Sequence, residues 1–209
     1  MIRFVSPIGH WTFSAGGFLV SSFVRLSAVG CPSPRCELSW VPVTYQRGEV
    51  TEDKYKGSME QVGKVVKKYS ENIGNDLLEF FEVAVYSFLT GNADMHLKNF
   101  SLLRSGDGSI SLTPAYDLVA TKIVLPEDQE EMALTINGKK RNLRRGDFEV
   151  LGQSLAINEK VLRNSFGKFD DGLKGAIKFV EKSFLKNSLR EKYMTLLRGR
   201  ARRLGLTVE

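Results

Sequence analysis

The chain has 209 residues, of which 42% are hydrophobic and 26% charged. That is a globular composition, long enough for one domain with a real core or one domain and an extension. Two cysteines are too few for a disulfide scaffold, only two histidines stand beside them, and no run of about eighteen uncharged apolar residues predicts a membrane span. A net charge of +6 leaves nucleic acid, nucleotide phosphate and acidic protein surfaces open as partners, alongside the plainer reading of a solvated basic face.

Residues 1–49 differ in composition from the rest. They hold both tryptophans, both cysteines and four of the six prolines, and the first lysine is Lys54. A secretion signal is not expected, because Arg25 interrupts the apolar stretch and serine and glycine dilute it. A cytoplasmic protein is therefore expected. Cys31 and Cys36 enclose two prolines and read as loop. Residues 18–20 and 40–43 are short strand candidates, the second demoted by Pro42. No compact unit can be derived from this segment, which stays unassigned.

From residue 50 the pattern becomes regular. Ser58 and Gln61 fit a capping box, and Val62, Val65, Val66 and Tyr69 form one apolar stripe. Gly74 is the expected stop, and Asn75 or Asp76 the cap of the next helix. That second helix is apolar on nearly all sides (Leu77, Leu78, Phe80, Phe81, Val83, Ala84, Val85, Phe88, Leu89), which predicts a central core helix ending at Gly91.

Directly after it, Asn92, Asp94, His96, Lys98 and Asn99 crowd polar groups onto the end of a rigid, buried element. Residues 100–103 and 109–112 read as a hairpin around a Ser105–Gly108 turn, which would return Asp117 toward Asp94 and Asn99. Phosphoryl transfer uses such a set: an aspartate that orients the attacking hydroxyl, an asparagine five residues on and a later aspartate that hold magnesium. Asp94, Asn99 and Asp117 supply it, and Lys98 can neutralise charge on the transferred group. The plainer readings are a turn cap for Asp94, a packed structural imidazole for His96, a turn residue for Asn92 and loop residues for Asn99 and Asp117.

Residues 91–103 (GNADMHLKNFSLL) and 112–118 (LTPAYDL) resemble the catalytic core of HipA-family kinases, the toxins of bacterial HipBA-type toxin–antitoxin pairs. Residues 54–61 (KYKGSMEQ), 133–140 (ALTINGKK) and 202–205 (RRLG) are similar to further family patterns, so the resemblance covers roughly residues 50–206. It implies an α+β, mostly helical fold, a protein-kinase-like C-terminal lobe with small β-hairpins. It implies Asp94 as catalytic aspartate, Asn99 and Asp117 as nucleotide and magnesium ligands, and His96 and Lys98 as loop organisers or phosphate contacts. The implied activity is ATP- and magnesium-dependent phosphorylation of Ser or Thr on a protein, aminoacyl-tRNA synthetases being among family targets. The implied partners are a HipB-like DNA-binding antitoxin and the protein substrate, with no direct nucleic-acid contact and no membrane.

Farther on, residues 132–136 read as a strand and Asn137-Gly138 as a tight turn. Lys139, Lys140, Arg141, Arg144 and Arg145 form a basic block, read as a solvated hairpin end. Phe148, Leu151 and Leu155 suit one helix face and Val161, Leu162 and Phe166 another. Phe184, Leu185, Leu189, Tyr193, Leu196 and Leu197 form a final stripe, followed by arginines that a helix dipole favours. A kinase also needs a glycine-rich loop and a lysine over the nucleotide. With no lysine before Lys54, that lysine is not expected in this sequence. The alternatives are an inactive remnant that binds an antitoxin as a protein module and a basic nucleic-acid-binding domain.

Overall fold

The computed structural model describes residues 54–208 in full and, before them, the backbone of three short strands. The expected strand at 18–20 and the Cys31–Cys36 loop lie outside the described residues. Strands β1 (Ile2–Val5) and β2 (Thr12–Ala15) pair antiparallel with Ile2 opposite Ala15, a hairpin that sequence reading did not anticipate. Strand β3 (Trp40–Pro42) lies at the edge of a three-stranded antiparallel sheet, order β3-β4-β5, with β4 (Ser101–Arg104) in the middle and β5 (Ile110–Leu112) beyond. An edge is where a strand tolerates proline, so Pro42 does not exclude it.

Helix α1 (Met59–Tyr69) starts on the expected capping box: Ser58 Oγ accepts from the Gln61 amide and Gln61 Oε1 accepts from the Ser58 amide. It ends earlier than Gly74, at Tyr69, because Ser70 turns extended. Gly74 instead lies in the first turn of α2 (Ile73–Thr90). The cap of α2 is Asn72, and neither Asn75 nor Asp76 takes that place. Asp76 is buried and accepts from Ser70 Oγ at 2.6 Å and from the Leu112 amide. One carboxylate thus fixes the α1–α2 connection to β5, near a helix N-terminus that favours negative charge.

Helix α2 is the central element, as its composition predicts. Phe80, Phe81 and Phe88 are fully buried, each contributing roughly 1.5–3 kcal/mol by removal from water. Around it pack α1, α4 (Arg145–Ser154) and α6 (Asn187–Arg203), with β5 at one end. The long helix α5 (Glu159–Glu181) packs on α4 and α6. It is tied to α2 through Glu82, which accepts from Ser165 Oγ and Lys168 Nζ. A short helix α3 (Thr121–Val124) follows the hairpin.

Residues 132–136 are not a strand. Ser58 and Thr135 form an isolated parallel bridge, and Ile136 and Lys139 an antiparallel one around the Asn137-Gly138 turn. Both turn residues have positive φ (50° and 71°), the type I′ geometry that this dipeptide favours. In the predicted stripes, Val161 lies at the surface and Phe184 is 97% exposed in the α5–α6 connection. The terminal arginines do more than face a helix dipole. Arg200 is buried against the Phe88 ring and donates to the Phe88 carbonyl, and Arg203 makes a two-pronged pair with Glu131. Among the described residues, no helix is long and apolar enough to cross a membrane.

Candidate active site

The polar loop begins where α2 stops. Gly91 has φ 84°, its amide donates to the Phe88 carbonyl at 3.2 Å, and the Asn92 amide donates to the Ser87 carbonyl at 2.8 Å. This is the Schellman arrangement, and it needs a left-handed residue at the position of Gly91. A Cβ there would also meet Leu196 at 3.1 Å. The helix end therefore delivers Asn92 into the site by packing and hydrogen bonding together.

Asn92 is 1% exposed. Its Nδ2 donates to the Asp117 carbonyl at 3.2 Å and its Oδ1 accepts from the Asp94 amide at 3.2 Å. The residue that reads as a plain turn is the clamp between the two aspartates. The Asp94 carbonyl accepts from the His96 amide at 2.9 Å and from Asn99 Nδ2 at 3.1 Å. Leu97–Asn99 form a single 3₁₀ turn that brings Asn99 back over Asp94. Asn99 is bonded directly to the Asp94 backbone, and the Asp117 backbone is linked to that of Asp94 through Asn92, so the hairpin brings the three residues into one region.

The hairpin is fixed at both ends. At its tip, Asp107 Oδ1 accepts from the Ser109 amide and hydroxyl. At its base, Tyr116 Oη donates to the Lys98 carbonyl at 2.8 Å and lies 2.7 Å from Ser101 Oγ. Asp117 follows with φ 55°, a left-handed conformation that aspartate tolerates better than most residues and that concentrates at functional sites. Thr121 then accepts from the Ala93 amide at 2.8 Å, and the Lys122 amide donates to the Gly91 carbonyl at 3.1 Å. Helix α3 closes the loop from the far side.

Asp94 is half-buried, Asp117 and Lys98 are exposed, and His96 and Asn99 are buried. Burial pushes the His96 imidazolium below its ordinary 6.5, and the nearby Lys54 charge pushes the same way. The Asp94 and Asp117 charges act on His96 in the opposite direction but do not outweigh burial. Tyr55, outside the loop and 39 residues before Asp94, donates its hydroxyl to Asp94 Oδ1 at 2.9 Å. Its ring meets His96 edge-on with centroids 5.5 Å apart. Sequence reasoning read Asn92 as a turn residue and left Tyr55, Tyr116 and Thr121 without a role. The partners of Asn92 and Tyr55 lie 25 and 39 residues away, and a local motif carries no signal of that.

The basic block is largely neutralised: Lys139 pairs with Asp147 at 2.7 Å, Lys140 with Glu130 at 3.1 Å and Arg145 with Glu149 at 2.8 Å. This agrees with a structural hairpin end more than with a nucleic-acid footprint.

The family described as "HipA-like C-terminal domain" matches residues 38–177. A candidate kinase of Sinorhizobium fredii (strain NBRC 101917 / NGR234), Y4dM, is 34% identical over 118 residues, 55% of this chain and 28% of that protein. A candidate kinase of Haemophilus influenzae (strain ATCC 51907 / DSM 11121 / KW20 / Rd) is 29% identical over 120 residues, 50% of this chain and 35% of that protein. The chain spans about a third of the length of the curated relatives it matches. Among solved structures, HipA of Shewanella oneidensis MR-1, crystallised with HipB and operator DNA, superposes with a TM-score of 0.61 at 22% identity. That match covers 76% of this chain and 39% of HipA. The fold is that of a kinase C-terminal lobe, mostly helical with a small sheet, and the chain belongs to the HipA-like C-terminal domain family.

Proposed function

We propose that residues 50–206 carry the catalytic and metal-binding half of a HipA-type Ser/Thr protein kinase that uses ATP and magnesium. The observation that carries this reading is the clamp made by Asn92. It joins the Asp94 amide to the Asp117 carbonyl, while Asn99 is bonded to Asp94 by its amide nitrogen and keeps its carboxamide oxygen for a cation. The Asp117 carboxylate and the Asn99 carboxamide offer hard oxygens that suit magnesium. Among the described residues no three histidine, cysteine, aspartate or glutamate side chains cluster as a self-sufficient metal site. A cation held by Asn99 and Asp117 would take its remaining ligands from phosphate and water. Asn99 and Asp117 would hold the ion, whose chemistry there would be neutralisation of phosphate charge.

In this reading Asp94 accepts the proton of the attacking hydroxyl, and His96 and Lys98 organise the loop and the phosphoryl group. The lobe that covers the nucleotide, with its glycine-rich loop and lysine, is assigned outside residues 50–206. By analogy with the HipA–HipB complex, the partner is a HipB-like antitoxin, and the substrate is a protein hydroxyl.

Transfer of labelled γ-phosphate from ATP, assayed with the products of the flanking genes present, tests the reading. Asp94→Asn and Asp117→Asn should each abolish transfer while leaving the thermal midpoint within a few degrees. Retained transfer in either variant refutes its assigned role. Binding of a HipB-like protein with no nucleotide binding under any of these conditions would favour the inactive, partner-binding module instead.

A further inference from the structure

We infer that Tyr55 is a positioning residue for Asp94, completing the orientation of its carboxylate for the incoming hydroxyl. The inference rests on the phosphoryl-transfer reading of the loop. Asp94 is held at its amide by Asn92 and at its carbonyl by His96 and Asn99. Those bonds fix the backbone and leave the side chain free to rotate about two bonds. The Tyr55 hydroxyl restricts that freedom by donating to Oδ1 at 2.9 Å. Among the described residues no hydrogen bond reaches Oδ2, which becomes the oxygen that faces the acceptor.

Tyr55 is 40% exposed, and two contacts bear on its ring. Its ring lies edge-on to buried His96 at 5.5 Å, and the Lys54 ammonium lies 4.7 Å above its centroid. The segment behind it is anchored where the Gly57 carbonyl accepts from the amide and hydroxyl of Thr135, both at 3.3 Å, and where the Met59 amide donates to the Thr135 carbonyl at 2.9 Å. The chain thus brings a phenol from before α1 onto the loop after α2. A carboxylate that must stay within a few tenths of an ångström of its working position needs such support.

Tyr55→Phe isolates the hydroxyl, because the ring and its contacts with His96 and Lys54 remain. Measured with the flanking gene products present, it should lower kcat about 10-fold or more, leave KM for magnesium-ATP within about 2-fold, and leave the thermal midpoint unchanged. Tyr55→Leu, which removes the ring as well, should lower both kcat and the midpoint. A kcat unchanged by Tyr55→Phe, with active wild type, overturns the positioning role while leaving the kinase reading intact. Wild type that neither binds magnesium-ATP nor transfers phosphate overturns both. A carboxyl carbon resonance of Asp94 that does not move between wild type and Tyr55→Phe shows that the contact is absent in solution, and overturns the inference whatever the turnover.

Discussion

The side chain of Asn92 joins the Asp117 carbonyl to the Asp94 amide, with 3.2 Å on each side. It does so from the residue after a left-handed helix cap, at 1% exposure. Of the bonds that hold the two segments together, this carboxamide on the end of the core helix is the one that touches both aspartates. Asn92→Ala removes two part-buried hydrogen bonds, to the Asp117 carbonyl and from the Asp94 amide, each contributing about 0.5–1.5 kcal/mol. Urea unfolding should register that loss. Phosphate transfer should fall by about 100-fold, more than any loss of folded protein explains. Transfer within 2-fold of wild type would show that the clamp does not set the site geometry.

Two glycines with opposite surroundings test how tightly the supporting helices approach. A Cβ on Gly63 would lie 2.1 Å from Leu155 Cδ2 and 3.5 Å from Phe80. Gly63→Ala should destabilise by about 1–3 kcal/mol through overpacking between α1 and α4. A Cβ on Gly167, in the exposed middle of α5, meets nothing within 4 Å, so Gly167→Ala should stabilise by about 0.5–1 kcal/mol through helix propensity. Chemical denaturation of both variants checks the pair, and equal effects would contradict the packing described.

Burial opposes ionisation of Glu131, but hydrogen bonds from Arg203 and the Leu143 amide, with the Arg203 and Arg200 charges, outweigh it. They hold the carboxyl below its ordinary 4.5. For Asp147, burial is likewise outweighed, by Lys139, Asn137 and the Arg144 amide. A depressed carboxylate binds fewer protons folded than unfolded, so its contribution is complete above the ordinary value and disappears as pH falls through the lowered one. Stability should decline on acidification below 4.5. The decline should be shallower in Glu131→Gln, which starts from a lower stability at neutral pH. Thermal midpoints measured across this range decide it, and an equal slope in the variant would remove Glu131 from the account.

The parts legible in the sequence are those fixed by neighbours along the chain. The Ser58–Gln61 box, the all-apolar α2, the hairpin and the Asn137-Gly138 turn each depend on contacts a few residues apart or on the composition of one helix. The grouping of Asp94, Asn99 and Asp117 followed from the loop spacing and the returning hairpin. What was not legible depends on distant partners. Ser70 and Leu112 take Asp76 away from a capping role, so the α1–α2 boundary moves. Arg203 needs Glu131, 72 residues earlier, and without that partner it reads as a cation at a helix end. Phe184 fits the spacing of the last helix, yet α6 begins only at Asn187, and the ring is left in solvent.

In the proposed site, Asn99 and Asp117 hold a divalent cation beside nucleotide phosphates. Manganese is a paramagnetic stand-in for magnesium in such an oxygen site. In the isotope-labelled protein, with the products of the flanking genes present, manganese-ATP should selectively broaden the amide resonances of residues 92–99 and 116–118 and leave α5 sharp, and Asp117→Asn should remove the effect. Broadening that is absent, that is spread over the surface, or that persists unchanged in Asp117→Asn would contradict the assignment of this loop as a metal–nucleotide site.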